Sequence, residues 1–301
     1  MKRAVIDIGT NSIRLLVADI ENGKIISGKK HVRMVRLGEM VGRSRKIGEK
    51  ALERCMDALD EFVKMALAEG VEDIKALATS AVRDAVNRDE IVKKIQSTLS
   101  LEVDILSGDE EAEMGYLGVI SSFDAEGVFM MVDIGGGSTE FVVGNKEKIF
   151  YKKSLDMGAV RMTEQFIKSD PVDPIESHEL ERHVRKIIKS ELKGIPSFEK
   201  GIAVGIGGTI TTLGAIKLKM ENYNREKIHL ASIDRKEIHE MTSGFGETPL
   251  SRRRKIIGLD SERADIIYAG SIILQEIMEF FGCNDIKISD YDNLEGYLMT
   301  R

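Results

Sequence analysis

Two short phrases in this chain combine a carboxylate, a glycine turn and hydroxyls in the same order. "VIDIGTNSIR" runs from Val5 to Arg14 and "MVDIGGGSTE" from Met131 to Glu140. Placing Asp7 on Asp133, an offset of 126 residues, also aligns Ile8 with Ile134, Gly9 with Gly135 and Ser12 with Ser138. A strand that ends in Asp-x-Gly puts a carboxylate at its exit, followed by backbone that can approach a ligand with no Cβ in the way. The N–H groups of Gly135, Gly136 and Gly137, with the hydroxyls of Ser138 and Thr139, can form an anion nest; Gly9, Thr10, Asn11 and Ser12 can form a second. Glycine and asparagine are also common hairpin-turn residues, but a turn requires neither the aspartate nor its repetition. Two facing nests are expected to hold one phosphoryl group.

A third cluster, "VGIGGTITTLGA", sets Gly205, Gly207 and Gly208 between an apolar strand and a helix that Thr209 is expected to cap. The order of the three glycine turns resembles the actin, hexokinase and Hsp70 superfamily, with its two phosphate loops and a later glycine motif.

The elements that must position these loops follow from hydrophobic period. "RAVIDIG", "IRLLVADIENG" and "KIISGKKHVRMVRLG" read as an antiparallel meander with a turn signal at Asn22-Gly23. Apolar residues at helical spacing from Lys50 to Ala68 predict a core-facing helix, and strand and helix signals then alternate through "LEVDILSG". The second half repeats the plan. The expected fold is α/β, with two actin-like (ribonuclease H-like) lobes and an interlobe cleft, because 301 residues exceed one core. The lobes are expected at 1–121 and 122–301, joined near "SSFDAEG", with the last helix, about 290–301, packing back on the first lobe.

The reaction is suggested by "ILSGDEEAEMGYLGV", residues 105–119. Together with "DIGTNSIRLLV", "ALATSAVRDAVN", "DIGGGSTEFVV", "GIGGTITTLGA" and "GLDSERADIIYAGSIIL", it resembles the exopolyphosphatase and guanosine pentaphosphate phosphatase family, in family order over nearly the whole chain. The resemblance implies that Glu111 is the catalytic base in the first lobe. It implies that Asp133 and Glu140 hold a divalent cation, for which magnesium is expected, with Asp7 as an additional ligand. Arg83 would grip oxygens at the scissile phosphate, and Arg14 would act likewise from the first loop. Ser107 and Glu110 have the form of a capping box, which leaves Glu111 available. A helix N-terminus keeps a carboxylate ionised, so the strength of Glu111 as a base is expected to come from positioning. In one respect the chain departs from the family's frequent Ser-x-x-Gly-x-Arg-Glu-Gly ending: "SDYDNLEG" keeps Ser289, Glu295 and Gly296 but carries Asp292 and Leu294 at the Gly and Arg positions. The C-terminal helical domains of longer members are expected to be absent.

The implied activity is metal-dependent removal of the terminal phosphate from inorganic polyphosphate, guanosine pentaphosphate or both. A phosphotransferase using polyphosphate or ATP and a non-hydrolysing alarmone-binding protein are the alternatives. Lys+Arg 44 against Asp+Glu 50 gives a net charge of -6, which argues against general nucleic-acid binding. Basic residues from Lys29 to Lys46 and at Arg252–Lys255 are candidates to line a path for a long anion. Two cysteines far apart and no apolar run near membrane-spanning length predict a cytoplasmic protein with no membrane partner. A homodimer would lengthen a shared basic groove.

Overall fold

The computed structural model describes residues 1–195 and 201–300. The chain forms two compact units: Met1–Gly118 with Asn293–Arg301, and Val119–Asp292.

Unit 1 is built on a five-stranded sheet. Its strands are β1 (Lys2–Ile8), β2 (Ser12–Glu21), β3 (Lys24–Met34), β4 (Ile74–Ala78) and β5 (Val103–Ile105), in the order β3-β2-β1-β4-β5. β1, β2 and β3 form the antiparallel meander, while β4 and β5 run parallel to β1. Because successive strand residues face opposite sides, β1 divides its side chains between two cores. Ala4, Ile6 and Ile8 pack with helix Glu49–Ala68 residues such as Cys55, Leu59 and Phe62. Val5 packs on the other side, with Leu16, Leu77, Met114, Leu294, Tyr297 and Leu298. Asp7 therefore lies on the face that the C-terminal helix Asn293–Thr300 covers.

That helix answers the departure seen in "SDYDNLEG". Leu294, at the position where the family pattern has arginine, is fully buried in the second core. The helix is anchored by an ion pair between Lys30 on β3 and the fully buried Glu295, at 3.0 Å. Tyr297 donates from its hydroxyl to Asp104 at the far edge of the sheet. Gly296 lets the helix backbone approach helix Gly108–Ser122 closely.

Unit 2 carries a six-stranded sheet: β6 (Phe129–Ile134), β7 (Thr139–Gly144), β8 (Ile149–Leu155), β9 (Ile202–Ile206), β10 (Ser232–Asp234) and β11 (Asp285–Ile288), ordered β10-β11-β9-β6-β7-β8. β6, β7 and β8 are antiparallel, and β9 and β11 continue parallel to β6. The plan of unit 1 is thus repeated with one extra antiparallel edge strand, β10. Its core joins Val132, Ile134 and Phe141 to helices Pro174–Glu191, Gly207–Lys217 and Ile267–Phe281. Both units are α/β. Among the described residues no helix is long and apolar enough to cross a membrane.

A Cβ at position 296 would lie 1.8 Å from the carbonyl oxygen of Met114, a backbone atom that cannot swing aside. Gly296→Ala is therefore expected to destabilise unit 1 by about 1–3 kcal/mol, read as a lower midpoint of thermal unfolding. An unchanged midpoint would show that the two helices separate without cost.

Candidate active site

Both Asp-x-Gly phrases fold as β-hairpin turns with the same hydrogen bond. Gly9 N–H donates to Ser12 O at 3.1 Å, and Gly135 N–H donates to Ser138 O at 3.0 Å. This closure sets the strand register, so that Asp7 pairs with Arg14 and Asp133 with Glu140. Residues directly opposite in an antiparallel pair share one face of the sheet. The two hairpins thus place an acid–base pair in unit 1 and two acids in unit 2.

In unit 1 the loop is fixed from behind. Thr10 O accepts from Gly38 N at 2.8 Å, and Asn11 O accepts from Val35 N and Arg36 N at 3.0 and 2.9 Å. The Thr10 and Ser80 hydroxyls are bonded to each other at 2.7 Å. Only one of them can donate in that bond, so the other's hydrogen is available to a further acceptor. Asn11 is buried, and its Nδ2 has no hydrogen-bond partner, which makes it a donor suited to an anion. Ser12 is buried at the start of β2, and Thr79 at the end of β4 joins the same region through its N–H to Ile8 O. Asn87 grips the backbone of Ile47 through both its amide atoms and so braces a loop.

Glu111 stands in the first turn of helix Gly108–Ser122. Ser107 and Glu110 form the capping box: Glu110 accepts from Ser107 N at 2.8 Å, and Ser107 Oγ accepts from Glu110 N at 3.2 Å. Glu111 is instead only 8% exposed and accepts from Arg83 Nη1 at 2.8 Å. Arg83 also donates to Leu106 O at 3.0 Å, so here it orients the carboxylate. The expectation that the helix terminus would keep Glu111 readily ionised is corrected by burial. Desolvation pushes its carboxyl up to about 7, against the lowering effect of Arg83; Asp7 raises it further and Arg14 opposes. These four side chains therefore form one electrostatic group.

Arg14 donates through Nε to Asp7 Oδ2 at 3.0 Å, and through Nη2 to both that oxygen and Asn293 Oδ1. The structure thus places Asp7 in an ion pair with a residue expected to face phosphate.

In unit 2 the glycine loop rests on helix Ala159–Phe166. Gly135 O accepts from Ala159 N at 2.9 Å, Gly136 O from Val160 N at 2.9 Å, and Gly137 O from Arg161 Nε at 2.7 Å. A trans peptide directs its N–H opposite to its C=O, so the N–H groups that follow these carbonyls point away from the helix. A Cβ on Gly158 would come within 2.5 Å of Gly136 backbone. Thr139 is fully buried and donates to Met157 O, while Ser138 is buried beside it. Gly207 has φ +82°, and a Cβ there would lie 2.2 Å from Asp133 Oδ1. Thr209 does not cap the helix: Gly207–Lys217 starts earlier, with Ile206 as the capping residue and Thr209 buried in the first turn.

Asp133 and Glu140 are 8% and 1% exposed, and Glu140 accepts from Ser154 Oγ at 2.7 Å. A hard oxygen pair of this kind suits magnesium, which binds through one or two carboxylates and keeps several waters. Among the described residues there is no group of three or more His, Cys, Asp or Glu that could hold a metal.

Arg263 was not singled out from sequence, although it lies within the quoted "GLDSERAD". A Cβ on Gly208 would fall 2.0 Å from its Nη1, so the third glycine turn leaves room for a guanidinium. Three members of the basic runs are engaged within the protein. Lys29 pairs with Glu69 and Lys30 with Glu295, and Arg253 is buried, donating to Ala264 O and Thr248 O. The Arg43 side chain lies outside the described residues.

A model of the Ppx/GppA phosphatase family matches residues 16–301. The bifunctional 3-dehydroquinate synthase/phosphatase of Fusobacterium nucleatum is 39% identical over 99% of this chain, which spans 46% of that protein's length. Exopolyphosphatase 2 of Mycobacterium tuberculosis is 32% identical, with 99% of this chain and 97% of that protein covered. Among solved structures, the Aquifex aeolicus Ppx/GppA family member superposes with a TM-score of 0.82 at 33% identity, covering 100% and 97% of the two chains. An exopolyphosphatase from Cytophaga hutchinsonii gives 0.90 at 27% identity, covering 100% and 97%. With the family model matched over residues 16–301 and a relative 32% identical over nearly the whole of both chains, the chain belongs to the Ppx/GppA phosphatase family.

Proposed function

We propose that this protein hydrolyses the terminal phosphoanhydride bonds of inorganic polyphosphate, guanosine pentaphosphate or both, with Glu111 as the general base for the attacking water. The observation that carries this reading is the state of Glu111: a buried carboxylate held by Arg83, with its pKa raised to about 7. A base poised near the operating pH combines an adequate ionised fraction with useful proton affinity. The exopolyphosphatase names of relatives such as that of M. tuberculosis support the substrate class.

Each residue has a defined task in this reading. The Thr10–Ser80 hydroxyl pair, through its remaining hydrogen, and the Asn11 amide donate to phosphoryl oxygens in unit 1, on a loop already fixed by residues 35–38. Arg83 keeps Glu111 oriented for proton abstraction. In unit 2 the N–H groups of the glycine loop and the Gly207–Gly208 turn supply anion donors, with Arg263 adding positive charge. Asp133 and Glu140 would hold magnesium, which when bound neutralises charge on phosphoryl oxygens. Asp7, clamped by Arg14, acts in unit 1 as a fixed anion.

Phosphate release from defined polyphosphate and from guanosine pentaphosphate, each with and without magnesium and a nucleoside diphosphate, tests the reading. Hydrolysis yields free phosphate from either substrate without an acceptor. Appearance of nucleoside triphosphate would make the protein a phosphotransferase, and tight alarmone binding without turnover would make it a sensor. Glu111→Gln is expected to lower kcat by about 10²-fold or more; an undiminished rate would remove Glu111 as the base.

The raised pKa also sets a pH dependence. The active form is the carboxylate, so kcat/KM is expected to climb as pH rises through about 7 and then level off. Folding responds in the opposite sense. A carboxyl with a raised folded pKa contributes stability at acid pH that is lost as pH rises through the folded value. Glu111→Gln should therefore unfold no earlier than wild type above neutral pH, which separates a lost base from a lost fold in a thermal melt. A pH–rate profile with no limb near neutrality would contradict the assignment.

A further inference from the structure

In each unit the turn after the first strand is braced from behind by residues that follow the third strand. In unit 1 these come after β3: Gly38 N donates to Thr10 O, and Val35 N and Arg36 N donate to Asn11 O at 3.0 and 2.9 Å. In unit 2 they come after β8, from the start of helix Ala159–Phe166: Ala159 N donates to Gly135 O, and Val160 N and Arg161 N donate to Gly136 O at 2.9 and 3.1 Å. The offset of 126 that carries Asp7 onto Asp133 also carries Asn11 onto Gly137 and Val35 onto Arg161. At this position the two braces differ. Asn11 O is held by backbone N–H groups, whereas Gly137 O is held by a side chain, with Arg161 Nε donating at 2.7 Å.

Arg161 therefore grips two consecutive carbonyls of the glycine loop, one through its backbone and one through its side chain. Because a peptide unit is planar, fixing the carbonyl of Gly137 also fixes the N–H of Ser138, which points the opposite way. A hydrogen bond from a guanidinium is charge-assisted, and it polarises the peptide so that the N–H at its other end becomes a better donor. The fit is close: a Cβ on Gly158 would lie 2.5 Å from Gly136 O and 2.6 Å from Gly137 C. Glycine at 158 thus lets the helix start lie directly against the loop that Arg161 holds.

We propose that Arg161 is a positioning residue for the phosphate loop of unit 2: its Nε holds the Gly137–Ser138 peptide so that Ser138 N–H is aimed at a phosphoryl oxygen of the substrate. The inference rests on the functional reading above, which takes this loop as an anion site. The role depends on the Nε bond, not on the other contacts of the guanidinium. It makes the nest of unit 2 sensitive to one side chain at the point where unit 1 uses backbone donors.

The test compares three variants that separate the donor from the charge. Arg161→Gln keeps an N–H donor at the same number of bonds from the backbone as Nε, Arg161→Lys keeps the charge but places its nitrogen one bond further out, and Arg161→Met has neither. In polyphosphate hydrolysis, Arg161→Met and Arg161→Lys are expected to raise KM about tenfold with kcat little changed, and Arg161→Gln to stay within about threefold of wild type. A wild-type KM in Arg161→Met, or a Gln variant no better than the Lys variant, would overturn the proposal. If Arg161→Met does not fold, the order of Gln and Lys alone decides. A second readout does not depend on turnover: the amide nitrogen chemical shift of Ser138, followed by NMR, should move in the Met and Lys variants and stay near its wild-type value in Arg161→Gln. Ser12, the counterpart in unit 1, should not move in any of them. An unmoved Ser138 signal in Arg161→Met sinks the positioning role even if the activity reading also fails, whereas a moved signal in a protein that hydrolyses neither substrate sinks only the activity.

Discussion

The site depends on a four-residue turn closed by one backbone hydrogen bond, made twice. Gly9 N–H to Ser12 O and Gly135 N–H to Ser138 O decide which residues face each other across the strands beyond. A slip of one position would send every side chain to the opposite face. Asp7 would then enter the apolar core beside Ile6 and Ile8, and Asp133 the one beside Val132 and Ile134. The apolar alternation of β1 and β6 makes that slip costly. Ordinary core packing therefore holds the carboxylates at the strand exits where the glycine loops begin.

The same constraint explains why two similar hairpins can hold different charges. Position 14 and position 140 are equivalent, each seven residues beyond its aspartate and each paired with it. In unit 1 the partner is arginine, so Asp7 is neutralised within the protein. In unit 2 the partner is glutamate, so the same register sets two buried carboxylates opposite each other. The repeated frame thus carries an ion pair in one unit and a pair of acids in the other, through a different side chain at one register position.

The local features were legible in the sequence, because Asp-x-Gly after an apolar run and Ser-x-x-Glu before a helix are short-range patterns. Both hairpins and the capping box stand where those patterns lie. Thr209 misled because a glycine at φ +82° starts the helix two residues before the expected cap. What the sequence could not display was anything that needs the fold to bring distant residues together. Arg83 meets Glu111 across 28 positions and Arg14 meets Asn293 across 279. Arg263 became visible only through the space that Gly208 leaves for it.

Glu111 shows why spacing alone misjudges an acid. Its place in a helix's first turn favours ionisation, typically by 0.3–1 kcal/mol at an exposed terminus. Burial acts on the same carboxyl with the opposite sign and reaches several pKa units for a fully enclosed group. Here desolvation is the largest influence, and even the guanidinium at 2.8 Å does not cancel it. The residue that limits the basicity of Glu111 also orients it, so Arg83 cannot be strengthened as a clamp without weakening the base. The second arginine, Arg14, paired with Asp7, acts on Glu111 with the opposite sign to its partner, so the pair's two influences oppose each other while Arg83 makes the direct contact.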